Sequence, residues 1–319
     1  MEISQKKFNK ILKKNFLFEK KPTIAVAVSG GPDSMALVFL LNKWIQNNQG
    51  KIFALIIDHG IRKESYKESK TIKEYLCSKN IESHIFRVNK KKIIKNTMKE
   101  ARVNRYEKLI KFCVKKNIFH LFLGHHYDDN IETFILRKIA GSNLQGLRAM
   151  QYNFLNDGVK ILRPLIDFNK KEILKYNNQN KIFYLVDPSN KNLKYSRVAV
   201  RKFLVDEKKY LSDIKKDFNL IQKYSHLYIK MTYRILHTLI IKTSYKKITI
   251  DSKNFFNFDI ELQTKIIEII YGFFTSKNRH LRYKNILDSL KLLSNKKVIN
   301  TNLAGMMIKR DSFFLSFTK

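Results

Sequence analysis

The chain is short of several things that would fix its class at once. Its 319 residues include two cysteines, Cys77 and Cys113, far apart and with no Cys-x-x-Cys pair. That argues against a disulfide scaffold, a zinc ribbon or a cysteine-held cluster, and fits a reducing compartment. No apolar run approaches the roughly 18 residues a membrane span needs. The basic N-terminus has no apolar stretch with a cleavage site, so no secretory signal is expected and a cytoplasmic location is. Acidic residues are scarce: 27 Asp+Glu stand against 63 Lys+Arg, a formal net charge of +36. Such an excess attracts polyanions and gains from releasing their counterions, so a nucleic-acid partner is expected. An acidic membrane surface would feel the same pull. No single basic amphipathic helix stands out, however, and no membrane partner is expected.

What is present begins with enough apolar residues, 44% of the chain, to build more than one core. The first two-thirds alternates between two periods. Thr23–Ser29, Ile52–Asp58, His84–Val88 and His120–Gly124 read as strands. Met35–Gln46, Glu64–Ser78, Thr97–Lys116 and Asn130–Ile139 read as helices. Strands alternating with helices predict a parallel sheet covered on both faces, with ligands at the carboxyl ends of the strands. From about Lys208 the pattern changes. Leu211, Ile214, Phe218, Ile221, Tyr224, Tyr228, Met231 and Ile235 recur at steps of three and four, predicting one long helix. Helices at Glu261–Phe274 and Tyr283–Ser294 and a short hairpin over Gly305–Phe317 follow. The expected organisation is an α/β domain over 1–205, a connecting helix over 206–240 and a mainly helical domain over 241–319.

The loop after the first strand reads Ser29-Gly30-Gly31-Pro32-Asp33-Ser34 and runs into a helix. Two glycines let the backbone turn tightly and aim N–H groups inward. Ser34 adds a hydroxyl, and the helix start adds a positive dipole end. Together these make a phosphate cradle. No Gly-Lys-Ser/Thr follows, so it is not a Walker A loop, and it is not Gly-x-Gly-x-x-Gly. The string resembles the signature of the PP-loop ATP pyrophosphatases, with their adenine nucleotide α-hydrolase-like fold. That resemblance implies cleavage of ATP between the α and β phosphates, pyrophosphate in the loop, AMP transfer to a carbonyl oxygen, and Mg²⁺ bridging the phosphates.

Further strings follow in order. They are Asp58-His59-Gly60-Ile61-Arg62, then Glu100-Ala101-Arg102 with Arg105-Tyr106, then Gly124-His125-His126-Tyr127-Asp128-Asp129-Asn130-Ile131-Glu132-Thr133. After these come Arg163-Pro164-Leu165, Asp187-Pro188-Ser189-Asn190, Arg197 and Arg201. Over roughly residues 20–205 this ordered set resembles the tRNA(Ile)-lysidine synthetases, which attach lysine to the wobble cytidine of a CAU-anticodon tRNA(Ile). The resemblance implies ATP, Mg²⁺, L-lysine and that tRNA as ligands. It implies a cradle of Ser29, Gly30, Gly31, Pro32, Asp33 and Ser34, with Asp58 and His59 as further nucleotide contacts. Asp33 would act at the catalytic centre and hold Mg²⁺, and His125 would contact the transferring phosphoryl group. Arg105 would hold phosphate or the activated base, and Asp129 and Glu132 would bind the lysine amines. Asp129 is also placed among the catalytic groups, because one of these carboxylates would accept the nucleophile's proton.

Each string has a plainer reading. Asp129-x-x-Glu132 is a capping box with the acid at the N-cap. His125, His126 and Asp128 are metal-type ligands without a further cluster. Asp58-His59-Gly60 is a strand-end turn, and Arg102 with Arg105 is a solvated basic face. In the C-terminal part Lys277, Arg279, Arg282 and Lys284 are candidates for gripping the tRNA body, or a solvated surface. Fuller relatives carry extra C-terminal modules, and a homodimer is a further expectation. The rivals are another PP-loop enzyme that modifies tRNA, such as a thiolase; an amide-forming or nucleotide-synthesising relative; and an RNA-binding module without catalysis.

Overall fold

A computed structural model describes residues 2–58, 65–87, 97–186, 196–275, 281–295 and 300–319. The chain divides into two compact units, Met1–Asn219 and Leu220–Lys319. His59, Gly60, Ile61, Arg62, Asp187, Pro188, Ser189, Asn190, Lys277 and Arg279 lie outside the described residues.

In the first unit helix α1 (Gln5–Asn15) precedes strand β1 (Thr23–Val28), helix α2 (Pro32–Asn47), strand β2 (Lys51–Asp58), helix α3 (Ser65–Cys77) and strand β3 (Glu82–Arg87). Helix α4 (Thr97–Lys115), strand β4 (His120–Phe122) and helices α5 (Tyr127–Ile139) and α6 (Leu144–Leu147) follow. The antiparallel pair β5 (Asn153–Asn156) and β6 (Val159–Leu162) and helices α7 (Lys170–Gln179) and α8 (Ser196–Asp206) complete it. The six strands lie in the order β3-β2-β1-β4-β6-β5, parallel except for the edge strand β5. This is the parallel α/β sheet expected from the alternating periods.

Strand β1 reads Thr-Ile-Ala-Val-Ala-Val because both of its faces are covered. Ile24, Val26 and Val28 enter one core with Phe8, Leu37, Leu41 and Ile72. Ala25, between them, joins a second core on the other face with Leu55, Leu109 and Cys113. The alternation is the period-two geometry of a strand. After β1 the chain moves to β2 and β3 on one side, then returns to β4 on the other. The strand order therefore reverses between β1 and β4. A crevice opens at the carboxyl ends of the strands at such a switch point.

Helix α9 (Lys208–Leu239) runs from the first unit into the second, and its span agrees with the reading from sequence. Its buried face differs from the predicted stripe. Phe218, Ser225, Thr232, Leu236 and Leu239 are buried, whereas Tyr224 and Met231 are exposed. Ser225 and Thr232 can be buried because their hydroxyls donate to Gln222 O (3.3 Å) and Tyr228 O (2.8 Å) of their own helix. The apolar pattern missed them because it counts only apolar residues.

The second unit has its own core, from Leu236 and Leu239 to Ile266, Ile270, Leu290 and Phe317. Strands β7 (Ile240–Ser244) and β8 (Lys247–Asp251) precede helices α10 (Ser252–Phe256), α11 (Ile260–Phe274) and α12 (Tyr283–Ser294). Strands β9 (Asn300–Leu303), β10 (Met306–Arg310) and β11 (Phe314–Thr318) follow. The hairpin read over Gly305–Phe317 is β10 with β11, and it sits inside a five-stranded sheet ordered β7-β8-β11-β10-β9.

Candidate active site

The cradle is built where β1 meets α2. Gly30 adopts φ +80°, a conformation L side chains rarely take, and its carbonyl accepts from Leu185 N–H at 2.8 Å. Gly31 is the N-cap of α2, and Pro32 occupies its first turn, where a missing N–H costs nothing. The two hydroxyls tie the turn. Ser29 N–H donates to Ser34 Oγ (3.2 Å), Ser34 Oγ donates to Gly31 O (3.0 Å), and the two Oγ atoms lie 3.2 Å apart. Asn177 of α7 donates to Pro32 O at 2.9 Å and props the turn from behind.

The exit of β4 closes on this turn. A Cβ on Gly124 would lie 3.1 Å from the carbonyl carbon of Asp33 and 3.1 Å from Ser34 N. Any side chain here would push the two loops apart by a few tenths of an ångström. The crevice therefore gathers the cradle and the string that opens α5, as their positions after β1 and β4 led us to expect.

Within that string the cap differs from the plain reading. His126, not Asp129, is the N-cap of α5, and Asp129 is the third helical residue of the capping box. Asp129 N–H donates to His126 Nδ1 (3.4 Å), and His126 N–H donates to Asp129 Oδ2 (3.2 Å). Rules that favour Ser, Thr, Asp and Asn at the N-cap do not anticipate an imidazole acceptor. Asn130 is structural: it is buried and exchanges two hydrogen bonds with the backbone of Met150.

Asp129 and Glu132 are buried side by side and are met by Arg201 of α8. Arg201 Nε donates to Glu132 Oε1 at 2.5 Å, and its Nη2 reaches Glu132 Oε2 (3.2 Å) and Asp129 Oδ1 (3.4 Å). Burial pushes Asp129 up, but the pull of the His126 and His125 rings beside it and the bond from the His126 N–H outweigh it and hold the carboxyl below its usual range. For Glu132 burial wins over the Arg201 bonds, and its carboxyl lies above the usual range. Arg197 Nη2 donates to Thr133 Oγ1 at 3.4 Å from the same helix α8.

Asp33 has a partner that sequence reasoning missed. Lys170, the first residue of α7, places its Nζ 2.6 Å from both carboxylate oxygens of Asp33. Its backbone N–H donates to Asp128 Oδ2, also at 2.6 Å. His126 Nε2 lies 3.8 Å from Asp33 Oδ1. Asp58 is buried at the end of β2 and accepts from Ser65 Oγ at 2.7 Å, with Arg87 Nε 3.5 Å away. The β1–β2 pairing ends at Val28 with Ile56, and Asp58 lies two residues past that last rung.

Arg102 and Arg105 bring positive charge to His125 from α4, and neither has an ion-pair partner among the described residues. Burial lowers the pKa of Arg105, as does its approach to Arg102 and Arg197. A partly desolvated guanidinium without a carboxylate is a ready receptor for phosphate oxygens. His125 accepts from Arg163 Nε at 3.2 Å. Burial, then Arg163, Arg102 and Arg105, push its pKa down to about 3 against the pull of Asp129.

Among the described residues no group of three or more His, Cys, Asp or Glu could hold a metal by itself. His125, His126 and Asp128 therefore do not form a zinc-type site. Mg²⁺ asks for less, since it keeps several waters and takes one or two carboxylates plus substrate phosphates. Asp33, a carboxylate in the first turn of α2 beside the cradle, would fit that requirement with Lys170 displaced from one of its oxygens.

A twisted parallel sheet with a glycine-serine cradle at its switch point defines a nucleotide-binding α/β protein. A family model described as a PP-loop domain matches residues 1–208, and the chain belongs to this family of ATP-binding domains. Curated relatives include the tRNA(Ile)-lysidine synthase of Orientia tsutsugamushi, 38% identical over 187 residues (59% of this chain, 42% of the relative). That of Wolbachia pipientis wMel is 39% identical over 183 residues (57% and 42%), and that of Rickettsia bellii 29% over 289 residues (90% and 67%). The matched part thus spans about two-fifths of the length of the first two relatives. Among solved structures, the U34-tRNA thiolase NcsA from Methanococcus maripaludis, with its [4Fe-4S] cluster, matches at a TM-score of 0.59. It is 20% identical, and the match covers 70% of this chain and 77% of that one. That likeness establishes the fold.

Proposed function

We propose that the protein ligates lysine to C2 of the wobble cytidine of a CAU-anticodon tRNA(Ile), in the cytoplasm, with ATP as the energy source. The product, lysidine, would shift codon reading from AUG to AUA. The observation that carries the reading is the meeting of two unlike subsites in one crevice. A phosphate cradle follows β1, and a buried acid pair, suited to a cationic amine, follows β4. The relatives named tRNA(Ile)-lysidine synthase support it.

In the first step the cytosine O2 attacks the α-phosphorus of ATP. An O–P bond forms, the α–β bridge breaks, and pyrophosphate leaves. The N–H groups and hydroxyls around Ser29, Gly30, Gly31 and Ser34 receive the leaving pyrophosphate. Mg²⁺ held by Asp33 would offset the phosphate charge. Arg105 supplies a guanidinium fork to the phosphate oxygens, and His125 contacts the transferring group.

In the second step the ε-amine of lysine attacks C2, the C–O bond breaks, and AMP leaves with the oxygen. Asp129 is the better contact for the amine. Arg201 holds it by one long bond at 3.4 Å but grips Glu132 with two bonds, one of 2.5 Å. The ammonium displaces Arg201 from Asp129, and the fork on Glu132 stays. One of the two carboxylates takes up the proton that the amine releases. The target base has to leave its stack to reach the crevice. Basic residues of the second unit, Arg282 and Lys284 among them, would hold the tRNA body through its phosphates.

A thiolase reading meets a chemical obstacle. A [4Fe-4S] cluster is held by cysteine thiolates, and this chain has two cysteines in all. Cys113 is buried, with its thiol pushed up to about 12 by burial. The test is Asp129→Asn. It is expected to raise KM for lysine at least tenfold while tRNA-dependent pyrophosphate release keeps its KM for ATP. Equal loss of both would contradict the assignment of the amine subsite.

A further inference from the structure

The two histidines that follow β4 are adjacent in sequence but not equivalent. Each uses Nδ1 as an acceptor: His126 from the backbone N–H of Asp129 (3.4 Å) and His125 from Arg163 Nε (3.2 Å). A guanidinium carries only donors. The Nδ1 facing it must therefore present its lone pair, and the proton of a neutral ring sits on Nε2.

The two Nε2 atoms then diverge. That of His126 lies 3.5 Å from Asp129 Oδ2 and 3.8 Å from Asp33 Oδ1, so carboxylates engage it. That of His125 has no hydrogen-bond partner among the described residues. Arg163 is itself well held. It is buried directly after β6, its Nη1 donates to Gln151 O at 2.8 Å, and its guanidinium carbon lies 4.8 Å from the centre of the Phe154 ring. The β4–β6 pairing continues past the last rung, with Leu123 N–H donating to Leu162 O at 2.9 Å, so sheet register fixes the two side chains relative to each other.

We infer that Arg163 is a positioning residue that fixes the tautomer of His125 with its proton on Nε2, so that His125 meets phosphate oxygens as a hydrogen-bond donor and not as a base. The groups facing His125 agree. Arg163 from the end of β6 and Arg102 and Arg105 from α4 oppose a charge on the ring, burial opposes it more, and Asp129 from α5 favours it without prevailing. The ring is neutral at pH 7, and a neutral ring needs an external group to choose between its nitrogens. A donor on Nε2 stabilises negative charge developing on a phosphoryl oxygen and requires no proton transfer. The contact with phosphate rests on the function proposed above; the tautomer does not.

The test is nitrogen-15 NMR of the histidine side chains in the full chain, with His125 assigned by the signal lost in His125→Asn. The expected result is a protonated Nε2, an unprotonated Nδ1, and no titration between about pH 5 and 8, the range in which an ordinary histidine changes charge. In Arg163→Met the ring is expected to populate both tautomers and to titrate closer to the ordinary value of about 6.5. Arg163→Lys, which keeps a donor, should restore the Nε2–H form in part. A proton on Nδ1 in the wild-type protein, or titration near the ordinary value, overturns the inference even if Arg163→Met fails to fold. An unchanged spectrum in a folded Arg163→Met overturns it too. ATP with Mg²⁺ should then shift the Nε2–H signal. If the tautomer is as stated and nucleotide leaves the signal unmoved, the positioning role stands and the phosphate contact falls.

Discussion

Replacing Gly124 with alanine probes how closely the exit of β4 must approach the cradle. The added Cβ would lie 3.1 Å from the Asp33 carbonyl carbon, 3.1 Å from Ser34 N and 3.2 Å from Asp33 O. Favourable carbon contacts begin at about 3.5 Å, so one of the two segments has to retreat by a few tenths of an ångström. The obstructing atoms are backbone, and no side chain can swing aside. Overpacking of this kind costs about 1–3 kcal/mol. At about 2 kcal/mol in a unit of roughly 200 residues the expected fall in Tm is about 4–8 °C. The retreat also moves Asp33 and Ser34. Since a displacement of about 1 Å can cost about a hundredfold in rate, a few tenths should cost roughly five- to tenfold in kcat. Thermal melting and tRNA-dependent pyrophosphate release read the two effects. A variant with unchanged Tm and kcat would refute the packing argument. A lowered Tm with full kcat would show that the turn is not part of the reacting centre.

Two further outcomes follow from named contacts. Lys170→Met removes the cation that holds both oxygens of Asp33, and because the pair is partly exposed we expect a loss of about 1 kcal/mol in urea unfolding; a neutral effect would mean that Asp33 finds an equivalent partner. His125 is held neutral when folded, so folding disfavours its proton. Its contribution to stability is complete above the unfolded value of about 6.5 and is lost as pH falls toward the folded value of about 3. Stability should therefore decline from pH 7 to 5 more steeply in the wild type than in His125→Asn, and parallel curves from urea melts would contradict the burial of the ring.

How much of this was legible in the sequence depended on what each residue does locally. Strands β1, β2 and β4 were readable because burial on both faces demands apolar runs, and the SGGPDS turn because tight phosphate-binding turns need those residue types. Strand β6 was not. It has four residues, Val-Lys-Ile-Leu, too few to show a period, yet its end carries Arg163. Lys170 was invisible for a different reason: in a chain this rich in lysine, only the docking of α7 beside the cradle distinguishes it. Arg201 was visible as part of an ordered string, but its grip on Glu132 depends on the packing of α8 against α5, which no local pattern encodes.

Lysidine formation can be read by incubating the pure protein with ATP, Mg²⁺, labelled lysine and a CAU-anticodon isoleucine tRNA, with a methionine tRNA alongside. Lysine should join the isoleucine tRNA alone, with one AMP and one pyrophosphate released per lysine transferred. Pyrophosphate release without lysine transfer, or label on both tRNAs alike, would contradict the proposed function.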